Sequence, residues 1–211
     1  MTADGPPLIL VREPDSPAAE AFRFLRTALL SAGERQMRSL LVVGAERDRS
    51  LDVSTIAGNL AVTFARSGLN TLLVDAGLRR PRLHAIFALD NSHGLTDYLA
   101  ETNDPTPPAQ TTSVERLRVL PTGPRPSGAT DLFASPRTAQ ALDRLAESVD
   151  LVLYVATPVL ETADTIALGR LTDACLLVVR GGATSRDSAQ RAKALLEAGG
   201  ARLIGVALVG A

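Results

Sequence analysis

SLLVVGAERDRSLDVSTIAGN, residues 39–59, decides how this chain folds and what its site can do. The apolar run 40–43 predicts a buried strand that ends at Gly44-Ala45. A polar loop comes next, and a helical pattern opens near Ser54-Thr55. Strand, loop and helix start form the layout of a phosphate cradle. The chemistry of a cradle is missing. Glycines are needed for backbone N–H groups to close round a phosphate, and a lysine to meet its charge. Residues 45–57 contain neither, and carry Glu46, Asp48 and Asp52 instead, with Val53 before the Ser-Thr pair.

Outward from this stretch, apolar runs alternate with helical patterns. Ser16-Pro17 is an N-cap followed by proline at the first helical position, so a helix is expected to about Ser31. Phe22, Leu25 and Leu29 share one face, and Glu20, Arg23 and Arg26 form a second stripe at spacings of three. The loop helix is expected over 54–67, with Ser54 as its N-cap. A continuous apolar strand over 70–76 ends near Asp75, before a basic turn holding Arg79, Arg80 and Arg82. Further strands are expected at 117–120, 151–156, 174–179 and 201–209, and helices at 83–87, 94–99, 137–148, 163–171 and 185–198. Residues 103–112 and 121–127 are turn-rich loops. The fold class is therefore α/β: a doubly wound, mainly parallel sheet flanked by helices. Sites in such a sheet lie at the C-terminal ends of strands. Residues 1–15 are expected to form an N-terminal arm with one strand at 8–11, and 16–211 a single domain.

Composition narrows the function. The 211 residues are 45% hydrophobic, enough for one domain with a core. A net charge of −1 and 3% aromatic residues argue against nucleic-acid binding. Lys193 is the sole lysine, so none is available to the loop. The single cysteine, Cys175, lies in an apolar run and excludes an intrachain disulfide. The apolar runs are strand-length, and MTADGPPLIL has no export signal, so a cytoplasmic location is expected.

SPAAEAFRFLRTALL, NLAVTFARSGLNTLLVDAGLRRPRLHAIF, GLTDYL, LPTGPRPSG, ASPR and GARLIGVALV, in this order, resemble the bacterial tyrosine autokinases of polysaccharide export. The resemblance spans residues 16–209 and implies a P-loop NTPase-like fold related to the partitioning ATPases. It also implies three nucleotide motifs, and each departs here. Val53 stands at the position of the P-loop lysine, with Ser54 and Thr55 at the hydroxyl positions and Asp52 in place of the last glycine. The Asp-x-Asp strand end reads Asp75-Ala76-Gly77, so its second acid is Gly77. Val155 stands where the metal-organising Asp belongs. The family's tyrosine-rich tail has no counterpart, the tyrosines being Tyr98 and Tyr154. The Glu20-x-x-Arg23-x-x-Arg26 helix, which joins subunits into a ring in that family, matches in full.

Set against the resemblance, these departures imply a degenerate nucleotide site with no catalytic residues, no metal and no cofactor. They imply a pseudokinase that scaffolds or regulates exopolysaccharide synthesis. The resemblance implies docking on the cytosolic segment of a membrane-anchored chain-length co-polymerase at the inner face of the membrane. It also implies a homo-oligomer, or a ring shared with an active homologue. Mg-ATP binding by an atypical autokinase, with Arg47 or Arg49 replacing the lysine, is the enzymatic alternative. A partitioning-type positioning ATPase is the third. By residue type alone, the Glu20 stripe also suits a solvated helix face, and Asp75 a strand-end acid that caps a turn. Arg79, Arg80 and Arg82 suit either a partner contact or a solvated turn.

Overall fold

The structure, a computed structural model, describes residues 8–32, 37–48, 51–100, 106–124 and 129–210. Residues 1–7 of the arm and Arg49 lie outside the described residues. In chain order the elements are α1 (Ile9–Arg12), α2 (Pro17–Ala32), β1 (Ser39–Gly44), α3 (Val53–Arg66), β2 (Thr71–Ala76), α4 (Leu83–Phe87) and α5 (Leu95–Ala100). They continue with β3 (Gln110–Thr111), β4 (Leu117–Leu120), α6 (Pro136–Glu147), β5 (Leu151–Ala156), α7 (Ala163–Arg170), β6 (Ala174–Arg180), α8 (Arg186–Ala198) and β7 (Leu203–Val209). Short 3-10 turns occupy Ala129–Ala134 and Val159–Glu161.

The strands form one sheet in the order β3-β4-β2-β5-β1-β6-β7. All pairings are parallel except β3 with β4. Successive side chains of a strand point to opposite faces. Leu40 and Val42 of β1 enter the core shared with α2, α3 and α4, while Leu41 and Val43 enter the core under α5 to α8. Burial on both faces is why β1, β2 and β5 read as unbroken apolar runs. The pairing of Asp75 with Val155, and of Val42 with Val155, brings the ends of β2, β5 and β1 together.

Three expectations change. Residues 8–11 do not form a strand. Leu8 and Leu10 are buried against α3, Ile9–Arg12 make one helical turn, and the Leu10 N–H donates to Asn59 Oδ1 at 3.0 Å. Leu8 fits because Gly58 has no Cβ: one placed there would lie 2.9 Å from Leu8 Cδ2. Ser54 is not the N-cap of α3. Asp52 is, in extended conformation, and the helix starts at Val53. The loop expected at 103–112 contributes Gln110 and Thr111 to an antiparallel edge pair with Arg118 and Val119. By contrast, Ser16 and Ser135 do cap their helices, accepting from Ala19 N–H at 3.2 Å and Arg137 N–H at 3.3 Å.

Candidate functional site

A cleft of about 350 Å³ opens where β1, β2 and β5 end. Val53, Ser54, Asp75, Gly77 and Val155 meet in its walls, joined from the basic turn by Arg80 and Arg82. Thr55 and Arg79 do not line it. Glu20, Arg23 and Arg26 lie away from it on α2.

The loop is organised by its own acids. Asp52 Oδ1 accepts the Ser54 and Thr55 N–H groups at 3.1 and 3.4 Å. Its Oδ2 accepts the Thr55 hydroxyl at 3.0 Å and pairs with Arg82 Nη2 at 3.0 Å. The first N–H groups of a helix attract an anion, and here that anion is the chain's own carboxylate. Asp48 faces Arg180 of β6 at 3.7 Å. Glu46 Oε2 accepts the Ser188 hydroxyl of α8 at 2.7 Å. The acids thus clip the loop to three neighbours, with the exposed Arg82 side chain serving as one clip at the rim of the cleft.

Asp75 lies at the floor of the cleft, 1% exposed. Its carboxylate accepts Gly77 N–H at 3.1 Å, Arg82 N–H at 2.8 Å and Leu83 N–H at 2.9 Å. It therefore fixes the turn that leads into α4. Burial pushes its pKa above the ordinary carboxylate range, against the pull of the Leu83, Arg82 and Gly77 N–H groups. Gly77 stays tight against this carboxylate, because a Cβ there would lie 3.1 Å from Asp75 Oδ1. Val53 Cγ2 would stand 3.2 Å from a Cβ at Gly44, so an apolar side chain fills the space beside the strand end.

The residues do not suit a magnesium triphosphate. The cleft is lined by the carboxyl groups of Glu46, Asp48, Asp52, Asp75 and Glu161, against the guanidinium groups of Arg47, Arg80 and Arg82. Glu161 Oε1 is buried without a hydrogen-bond partner. Phosphoryl transfer depends on positive charge round the phosphates, and among the described lining residues five acidic side chains stand against three arginines. Among the described residues no group of three His, Cys, Asp or Glu side chains is arranged to hold a metal.

The α2 stripe is engaged within the chain. Arg23 Nη1 pairs with Glu20 at 2.6 Å, and its Nη2 donates to the Pro14 carbonyl. Arg26 Nη1 donates to the Thr63 carbonyl near the end of α3 at 3.0 Å. Phe24, one residue from Arg23, is 70% exposed. Tyr98 and Tyr154 are both buried, and the Tyr98 hydroxyl donates to the Ala141 carbonyl at 3.1 Å.

Comparison with known proteins places this geometry. The chain is 33% identical over 204 residues to the tyrosine-protein kinase YwqD of Bacillus subtilis, covering 96% of this chain and 85% of that protein. It belongs to the bacterial tyrosine-protein kinase family. The kinase domain of the Escherichia coli tyrosine kinase ETK superposes with a TM-score of 0.91 at 30% identity, over all of this chain and 82% of that one. The cell-division complex MinC:MinD of Aquifex aeolicus, at 19% identity and a TM-score of 0.65 over 81% of this chain, shares the fold alone. No protein-family model matches.

In a tyrosine-kinase chain of this fold, the partners of Glu46, Asp48 and Asp52 were the part that sequence did not expose. Ser188 is 142 positions from Glu46, and no local pattern announces their meeting. Phe24 was in view between Arg23 and Leu25, but helical spacing alone does not separate an exposed aromatic from a half-buried one.

Proposed function

We propose that this chain is a catalytically silent member of the bacterial tyrosine kinase family, retained for assembly rather than phosphoryl transfer. The observation that carries the proposal is Asp52. Its carboxylate sits on the N–H groups that begin α3 and is ion-paired to Arg82. A phosphate at that helix end would have to displace a tethered anion. Val53, Gly77 and Val155 add no charge or metal ligand round it.

Isothermal titration with Mg-ATP tests this. No saturable heat is expected at micromolar nucleotide, and no change in melting temperature at saturating millimolar nucleotide. Incubation with labelled ATP is expected to leave Tyr98 and Tyr154 unphosphorylated, since both lie in the core. Micromolar binding, or phosphate on either tyrosine, overturns the proposal in favour of an atypical ATP-dependent autokinase using Arg47.

The proposed role is scaffolding or regulation of exopolysaccharide synthesis and export, docked on the cytosolic segment of a membrane-anchored chain-length co-polymerase. Among the described residues no helix is long and apolar enough to cross a membrane, so the proposed membrane contact runs through that partner. Subunits join through the face of α2, as a homo-oligomer or in a ring with an active homologue. The exposed Phe24 beside the Glu20–Arg23 pair supports this, being an aromatic group framed by both signs of charge. Light scattering with the co-polymerase segment present is expected to give an assembly that Phe24→Asp disperses. A monomer both alone and with the segment would rule the interface out.

A further inference from the structure

A second pocket, of about 160 Å³, lies at the opposite end of the sheet from the nucleotide cleft. It forms where α6 faces the chain entering β1 and β6. Asp143 and Glu147 of α6, Arg38 before β1 and Asp173 before β6 supply its charged wall. Asp173 is held rigidly, because its Oδ2 accepts the Arg38 and Ser39 N–H groups, both at 2.8 Å. Tyr154 of β5 closes the pocket from the inside.

Tyr154 is the unusual member. It is 1% exposed, and its hydroxyl is buried without a hydrogen-bond partner. Leaving a buried hydroxyl unpaired costs roughly 1–3 kcal/mol, so this position asks for a partner that protein atoms do not supply. Burial, with Tyr98, Asp143 and Asp173 nearby, pushes its pKa far above the ordinary phenol value, so the group stays neutral. A neutral phenol keeps a proton to donate and a lone pair to accept.

We infer that this pocket binds a primary ammonium group, with Tyr154 and the carboxylates of Asp143, Glu147 and Asp173 as its partners. The sign comes from the wall, which carries three carboxylates against the single guanidinium of Arg38. The class comes from the arrangement. No described trio of acids is placed to share a metal ion, whereas an ammonium needs only dispersed acceptors for its three N–H bonds. Leu142 and Leu171, also in the lining, offer apolar surface for an attached alkyl chain. A free diamine and the lysine side chain of a partner protein present this same group.

The chain's tyrosine content gives a direct test. It has two tyrosines and no tryptophan, so in Tyr98→Phe the emission comes from Tyr154 alone. That variant is titrated with putrescine, with Nα-acetyl-lysine amide, and with sodium chloride at matched ionic strength. A saturable change in emission with an amine, absent with sodium chloride, is expected. Preference for putrescine identifies a free diamine, and preference for the lysine derivative a partner's side chain; either supports the site. By calorimetry, Tyr154→Phe and Asp143→Asn in the otherwise natural chain should each weaken binding about tenfold. Asp143 is exposed on α6, so its replacement leaves the core intact. If neither amine gives a saturable response at millimolar concentration, or if both variants bind as the natural chain does, the inference fails. The hydroxyl then simply faces a sealed void.

Discussion

Asp75→Ala is expected to lower the unfolding free energy by about 3–5 kcal/mol, the upper range for a single substitution. The cost comes from three backbone N–H groups, of Gly77, Arg82 and Leu83, that lose their common acceptor. Leu83 is fully buried, so water cannot replace the carboxylate without opening the turn. The loss should spread beyond the turn. Arg82 is the partner of Asp52, and releasing the Arg82 backbone loosens the clip that holds the loop on α3. Urea unfolding measures the total. Asp75→Asn separates charge from shape. The folded-state pKa of Asp75 is raised above its ordinary value of 3.8 by burial. The folded state therefore holds this proton more tightly than the unfolded chain does. Asp75 then contributes a stabilisation that is complete below 3.8 and is lost as pH rises through the folded value. The natural chain should gain stability relative to Asp75→Asn as pH falls through the raised folded value toward 3.8. A difference that shrinks on acidification would mean that the N–H groups of Leu83, Arg82 and Gly77 outweigh burial, and the sign would be reversed.

The same residue marks how far sequence carries. Asp75 as a strand-end acid was legible, because an unbroken apolar run stopping at an acid, ahead of a glycine, leaves few placements for the carboxylate. The sheet was legible for a related reason: strands buried on both faces are apolar at every position, so β1, β2, β5 and β6 need no alternation to be recognised. The absence of lysine and glycine from the loop was equally plain. What replaced them was not. Glu46, Asp48 and Asp52 suggest repulsion of phosphate when read alone. In the fold they are partners of Ser188, Arg180 and Arg82, brought close by the sheet order rather than by spacing along the chain. The apolar piece at 8–11 failed for a different reason. Four apolar residues fit a strand or one helical turn equally well, and the choice was made by Gly58 and Asn59 of α3.

Gly94→Ala is expected to cost at least about 3 kcal/mol, far more than the few tenths to about 1 kcal/mol by which glycine and alanine differ at a helix start. A Cβ at Gly94 would lie 2.2 Å from the Pro121 carbonyl oxygen, 2.3 Å from Gly123 N and 2.5 Å from Thr122 C. All three atoms are backbone, so no side chain can rotate away. Nor can the two segments separate cheaply. The Leu95 N–H donates to the Pro121 carbonyl at 2.8 Å, the Thr96 N–H to the Thr122 carbonyl at 2.9 Å, and the Thr96 hydroxyl to the same carbonyl at 3.0 Å. Gly123, at φ +82°, turns the chain so that its N–H meets Asn91 Oδ1 at 2.9 Å. These are the stretches GLTDYL and LPTG, far apart in the chain and now seen as two halves of one joint. The joint also reaches the cleft, because the Thr122 hydroxyl donates to the Asp75 backbone carbonyl at 2.9 Å. Gly182→Ala is the control. Gly182, unlike Gly94, has positive φ, +73°, and nothing lies within 4 Å of a Cβ there. It should cost only about 1 kcal/mol of backbone strain. Urea unfolding of the two variants side by side distinguishes contact from strain: equal losses would mean that the joint yields and that the approach of the two backbones does not require glycine at 94.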